Sequence, residues 1–269
     1  MFKTRLCVVF CLIRSALPAQ VQTTARPADL ASALTIAGTE TASGLTWSQE
    51  IRQQPAGKVL RNVQVMTEIP AERFMAAMQS TEASLGVKCE HCHNRDLYRS
   101  DEKPAKLTAR QMLKMAYSTN QKHFDGQDRI TCYVCHRGTT KPETAVPTRA
   151  PASPKQPPAK LSAEEGAKPS AEVYKNIQVA KSIPAGRLMR MMGVFTIVLG
   201  VECDHCHVEG RWDSDEKKPK QTARKMIQMV GAIAADHFEG KPQVACWTCH
   251  RGASKPPRSV REAPSAAGL

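Results

Sequence analysis

Apolar residues recur along this chain at the three-and-four spacing of an α-helix. Leu188, Met192, Phe195 and Leu199 fall at i, i+4, i+7 and i+11, one stripe along a helical face. Phe74, Met78, Thr81 and Leu85 take the same steps further upstream. Pro70 and Pro184 suit the first turn of these segments, and Gly86 and Gly200 suit their ends. A second helix is expected from about Thr108 to Asn120, and again from about Thr222 to Ala234. Its inward positions include Met112 and Met115 in one case, Met226 and Met229 in the other. No run of alternating apolar and polar residues demands a sheet, so the expected fold class is mainly α.

The two sets of helices belong to an internal repeat. Residues 61–142 recur as 175–256 without a gap at a constant offset of 114, and about 36 of the 82 positions are identical. Between the copies runs a stretch rich in Pro, Ala, Lys and Ser, including APASPKQPPAK, which reads as a semi-stiff spacer. The predicted organisation is a signal peptide at 1–19, an N-terminal tail at 20–57, and a first unit at 58–142. A Pro/Ala-rich linker at 143–172, a second unit at 173–256 and a C-terminal tail at 257–269 complete it.

The signal peptide is read from Lys3 and Arg5, a short apolar run from Leu6 to Ile13, and small residues from Ser15 to Ala19. That run is shorter than the roughly 20 residues a membrane-spanning helix needs. Export to the periplasm is the expectation. No transmembrane span is expected, and membrane association would come only through a redox complex or an uncleaved leader.

Composition narrows the chemistry. Aromatic residues are 5% of the chain and Pro numbers 18, modest means for a conventional core. The formal net charge of +13 invites a nucleic-acid reading, but the cysteines argue against it. Beyond Cys7 and Cys11 in the leader, eight cysteines form four pairs, and each pair is followed at once by a histidine. The four Cys-x-x-Cys-His runs are Cys89–His93, Cys132–His136, Cys203–His207 and Cys246–His250.

This spacing is that of c-type haem attachment. The two thiols add across the two vinyl groups of one haem, and the adjacent histidine binds iron from the proximal side. Cys89, Cys92, Cys132, Cys135, Cys203, Cys206, Cys246 and Cys249 are thus the candidate attachment residues. His93, His136, His207 and His250 are the candidate proximal ligands. Disulfides or zinc would use the cysteines but leave the four histidines unexplained. Four haems would add about eight propionate charges, bringing the net charge to roughly +5, and no nucleic-acid partner is expected. Arg110, Arg137, Arg224 and Arg251 recur near the motifs and are candidate propionate partners.

The sixth iron ligand separates electron transfer from ligand chemistry. Met78 and Met192 each stand 11 residues before an attachment pair, and Met112 and Met226 each stand 20 before. Met75, Met115, Met189 and Met229 compete with them, and spacing alone does not choose. His123 and His237 also match between the copies and offer a two-histidine alternative, while His91 and His205 inside the motifs should point outward.

The segments IPAERFMAAMQSTEASLGVKCEHCH, LTARQMLKM and ITCYVCHRG resemble the cytochrome c subunit of photosynthetic reaction centres. The second copy, IPAGRLMRMMGVFTIVLGVECDHCH, QTARKMIQM and VACWTCHRG, is similar to it as well. The resemblance implies two tandem dihaem cytochrome units with haems packed against short helices. It further implies Met78, Met112, Met192 and Met226 as distal iron ligands. The expected function is a periplasmic tetrahaem cytochrome that carries four covalent haem c groups and relays electrons between redox donor and acceptor proteins. A membrane redox complex or a photosynthetic reaction centre is a candidate acceptor. It is not expected to be an enzyme; the alternative is a multihaem reductase or peroxidase with one open haem site.

Overall fold

The computed structural model describes residues 47–149, 151–152 and 159–263. The leader, Cys7 and Cys11 lie outside these, as do most of the N-terminal tail and the last six residues. Among the described residues the chain is helical, with no strand and only isolated bridges such as Pro55 with Pro70 and Pro169 with Pro184.

Each copy is built the same way. In the first, α1 (Gln49–Gln53) and α2 (Ala56–Val59) precede the long helix α3 (Ala71–Leu85). The first motif forms the one-turn helix α4 (Cys89–Cys92), the second long helix is α5 (Pro104–His123), and the second motif forms α6 (Cys132–His136). The second copy repeats this as α7 (Ala163–Ala167), α8 (Ser170–Val173), α9 (Ala185–Leu199), a 3-10 turn at Cys203–His205, α10 (Lys218–His237) and α11 (Cys246–His250).

The long helices follow the sequence signals closely. Pro70 and Pro184 sit immediately before α3 and α9, and Gly86 and Gly200 close them in the left-handed conformation at φ of 65° and 63°. The second helices are longer than expected at both ends. Pro104 is the first residue of α5, and Pro219 is the second residue of α10. In a first turn the missing N–H and preset φ of proline cost nothing. At the other end, basic residues in the last turn, Lys122 and His123 in α5 and His237 in α10, suit the negative pole of the helix dipole.

The repeating unit also begins upstream of the 61/175 boundary. Ser48 and Ser162 each cap a short helix, in stretches assigned above to the tail and the linker. Behind them the chain pairs with the entry to the long helix. Ala56 N–H donates to Ile69 O and Ala71 N–H to Gln54 O, both at 2.8 Å; Ser170 and Ala185 make the same pair of bonds at 2.8 and 2.9 Å. Ala56, Ala71, Ser170 and Ala185 are all fully buried, so only small side chains fit this crossing. Part of the stretch expected to be a linker packs as well. Pro151 rests on Gly193, and Ala152 N–H donates to Thr196 Oγ1 at 2.9 Å.

Within a copy, the end of the first long helix abuts the second motif. Gly138 N–H donates to Ser84 O, and Gly252 N–H to Val198 O, each at 2.8 Å. This approach explains a departure from the predicted stripe on α9. Leu188 is buried as expected, but Ile197 and Val198, off that stripe, are buried too, because α9 packs against α11 at this end.

The two copies pack on each other through α5 and α10 and through α6 and α11. Met115, Ile130, Met229 and Ile233 form a shared buried cluster, with Phe124, Phe238 and Val244 around it. Lys122 pairs with Asp236 at 2.8 Å across the same contact.

Candidate haem sites

Each motif forms a tight turn that turns its histidine back onto the chain. His93 Nδ1 lies 3.1 Å from Tyr98 O, and His207 Nδ1 lies 3.1 Å from Trp212 O. In the second motifs, His136 Nδ1 lies 2.9 Å from Thr139 O and His250 Nδ1 lies 2.9 Å from Ala253 O. All four Nδ1 atoms are thereby fixed as donors to a backbone carbonyl, which selects the tautomer whose Nε2 lone pair is free to bind a metal. Burial pushes the pKa of each of the four histidines down, which favours the neutral, ligating form.

None of the eight motif cysteines is in a disulfide. Burial raises the thiols of Cys89, Cys92, Cys132, Cys203, Cys206 and Cys246 above their ordinary value. Among the described residues, no group of three or more His, Cys, Asp or Glu side chains is placed to hold a metal ion. Free paired thiols beside an oriented imidazole are the donor set that haem c requires.

The second motifs of the two copies meet. Cys135 Sγ and Cys249 Sγ are 3.2 Å apart. Arg137 Nη2 donates to Cys249 O at 2.5 Å, and Arg251 Nη2 donates to Cys135 O at 2.9 Å. With the thiol of Cys249 donating to it and the two guanidiniums nearby, Cys135 ionises more readily than a free thiol; Cys249 is pushed the other way. Arg137 Nε and Arg251 Nε are buried with no hydrogen-bond partner among the described residues. A buried donor of this kind fits an anionic group beside the site.

Arg110 and Arg224, the other two candidate propionate partners, are engaged elsewhere. Arg110 pairs with Asp101 at 2.8 Å and donates to Asn62 O at 3.0 Å. Arg224 does the same with Asp215 at 2.9 Å and Asn176 O at 3.1 Å. These guanidiniums tie the loop after each first motif to the segment before the first long helix. They also hold Asp101 and Asp215 well below the usual carboxylate range.

The methionines divide by burial. Met115 and Met229 are buried in the cluster between the copies, and Met75 and Met189 are exposed. Met78, Met112, Met192 and Met226 are half-buried. His237 is half-buried, and its Nε2 lies 2.9 Å from Ser118 Oγ of the other copy. His91 and His205 are exposed. The sequence reading did not find the backbone carbonyls that orient the histidines, nor Lys106 and Lys220, whose ammonium groups reach the loop carbonyls beside the first motifs. The constant offset between the two lysines is their only trace in the sequence.

The family model of the photosynthetic reaction centre cytochrome c subunit matches the chain twice, over residues 40–151 and 143–266. The chain belongs to this family. Two matches in tandem agree with the two copies described above, and membership of the cytochrome c family implies covalently bound haem c. The reaction centre cytochrome c subunit of Thermochromatium tepidum is 40% identical over 102 residues, 36% of this chain and 25% of that protein. The corresponding subunit of Rubrivivax gelatinosus is 26% identical over 269 residues, covering 80% of this chain and 71% of that protein. Cytochrome c-554 of Chloroflexus aurantiacus is 33% identical over 82 residues, 28% of this chain and 20% of that protein. Membership makes this a multihaem electron-transfer cytochrome. Among the described residues no helix is long and apolar enough to cross a membrane.

Proposed function

We propose that this cytochrome carries four covalent haem c groups, acts in the periplasm, and relays electrons between redox proteins. The observation that carries the count is the fourfold recurrence of one arrangement: two free thiols and a histidine whose Nδ1 is held by a backbone carbonyl. Cys89/Cys92, Cys132/Cys135, Cys203/Cys206 and Cys246/Cys249 are the attachment pairs, and His93, His136, His207 and His250 supply the proximal nitrogens. The haem iron supplies one-electron chemistry. The residues would hold it and orient its ligand.

Met78, Met112, Met192 and Met226 are the proposed distal ligands. Half-burial supports Met78 and Met192 over the exposed Met75 and Met189; Met112 and Met226 pack at the edge of the inter-copy cluster, where they keep part of their surface, whereas Met115 and Met229 are buried inside it. The electron crossing between the copies is proposed at the pair Cys135 and Cys249, on the strength of their 3.2 Å separation. The relatives named as reaction centre subunits make a membrane redox complex or a photosynthetic reaction centre the candidate acceptor.

The test is a haem count on the exported holoprotein with visible spectra, oxidised and reduced, with and without carbon monoxide. Four low-spin haems, a methionine-to-iron band and no response to carbon monoxide are expected. A carbon monoxide shift would mean an open iron, and the reading would pass to a multihaem reductase or peroxidase. Fewer than four haems would refute the count.

A further inference from the structure

The carbonyl oxygens that orient the first-motif histidines are shared with a buried lysine. Tyr98 O lies 3.1 Å from His93 Nδ1 and accepts from Lys106 Nζ at 2.7 Å. In the second copy, Trp212 O lies 3.1 Å from His207 Nδ1 and accepts from Lys220 Nζ at 2.9 Å. Each ammonium is anchored by the same three groups. Lys106 also donates to Ser100 O at 2.7 Å and pairs with Asp101 at 3.3 Å; Lys220 donates to Ser214 O at 2.8 Å and pairs with Asp215 at 3.4 Å. Lys106 is only 8% exposed, unusual for a lysine. Among the described residues the second motifs have no such partner: no lysine donates to Thr139 O or Ala253 O.

We propose that Lys106 and Lys220 are positioning residues that tune the iron of the first-motif sites, making each of those sites harder to oxidise than it would be without the ammonium group. The inference rests on the haem-attachment reading above. An imidazole whose Nδ1–H donates to a strong acceptor gains electron density and stabilises ferric iron. A carbonyl that already accepts from an ammonium is a weaker acceptor, so the histidine donates less to iron and the ferrous state is favoured. The positive charge works in the same direction, because oxidation adds a positive charge nearby. Asp101 and Asp215 offset that charge in part but do not touch the carbonyl.

The experiment is a spectroelectrochemical titration of the four-haem holoprotein, with dithionite as reductant and ferricyanide as oxidant. It compares the parent chain with Lys106→Met, Lys220→Met and Lys106→Arg. Lys106→Met should shift one of the four components to lower potential, and Lys220→Met a different one. The expected size is a several-fold to tenfold change in the oxidised-to-reduced ratio at fixed potential, tenfold being about 59 mV for a one-electron couple. Lys106→Arg, which keeps a charged donor, should restore most of the parental value. A purely structural role would lower the melting temperature and leave all four components in place, and that result overturns the inference. So does a shift shared equally by all four components, or failure of both Met variants to retain four haems. Absence of covalent haem from the parent protein would instead overturn the attachment reading itself.

Discussion

Replacing Gly86 with alanine tests how the first long helix is locked to the second motif. Gly86 ends α3 in the left-handed region at φ 65°, and a Cβ built there would run into the Gly138 carbonyl, lying 3.0 Å from its carbon and closer still to its oxygen. Backbone meets backbone here, so no side chain can swing aside. The left-handed conformation costs an alanine about 1–2 kcal/mol. Separating the two segments at this contact also breaks the Gly138 N–H to Ser84 O bond, leaving a pair of backbone groups short of a partner, at about 1–3 kcal/mol. The sum is about 2–5 kcal/mol, which for a chain of this size lowers Tm by about 5–15 °C. Thermal unfolding of the haem-loaded protein, followed by far-UV circular dichroism, measures it. Gly166→Ala is the control: a Cβ at that helical position meets nothing within 4 Å, so Tm should hold or rise slightly. A Gly86→Ala protein that melts with its parent would refute the close-approach reasoning.

Other perturbations follow the same logic. Asn120→Ala removes a side chain that donates to Ile130 O at 3.0 Å and accepts from the N–H groups of Arg129 and Ile130 at 3.1 and 2.8 Å. It should cost about 1–3 kcal/mol in chemical unfolding, and an unchanged unfolding midpoint would show that the loop holds itself. Asp101, its carboxyl held low by Arg110, has a folded-state pKa below its unfolded value. Its stabilisation is therefore present above about pH 4 and lost as pH falls below that. Asp101→Asn should flatten the acid limb of a stability-versus-pH curve, and an identical acid limb would count against the pair. Arg137→Lys replaces a fork that donates to Cys249 O with a single point charge. Hydrogen exchange should quicken at residues 132–138 and 246–252 together; quickening on one side only would mean the contact is not shared.

Much of the helical frame was legible because its punctuation is unambiguous. Pro70, Gly86, Pro184 and Gly200 have conformational requirements that few contexts override, and the ends of α3 and α9 fall where these residues put them. The ends of α5 and α10 were harder, since Lys103 and Lys217 carry no capping side chain that marks a start. The upstream part of the repeat was hidden for another reason. Between 48–60 and 162–174 the copies share little besides Ser48/Ser162, Glu50/Glu164, Pro55/Pro169 and Val59/Val173, because a crossing made by backbone bonds and tiny side chains leaves most positions free to drift. The attachment motifs were plain in the sequence, whereas the carbonyls that orient their histidines could not be, since every residue has one. Arg110 and Arg224 recur beside the motifs just as Arg137 and Arg251 do, yet their carboxylate partners become visible only when the loop folds back.

The reciprocal contact between Arg137 and Cys249 O, and between Arg251 and Cys135 O, has the form of a self-complementary interface within one polypeptide. Residue and partner exchange places across it, as they do between the halves of a twofold homodimer. A single ancestral unit with this surface could associate with its own copy, and joining two such units end to end would convert an association that depends on concentration into one that does not. Fusion has a second effect. In a homodimer every substitution is made twice, so both halves must change in step. In one chain, Lys122 can face Asp236 although the two positions correspond in the repeat, and Ser118 can meet His237 where the other copy has Ala232. Within one chain, a contact of this form is free to differ between its two halves and so to carry a direction.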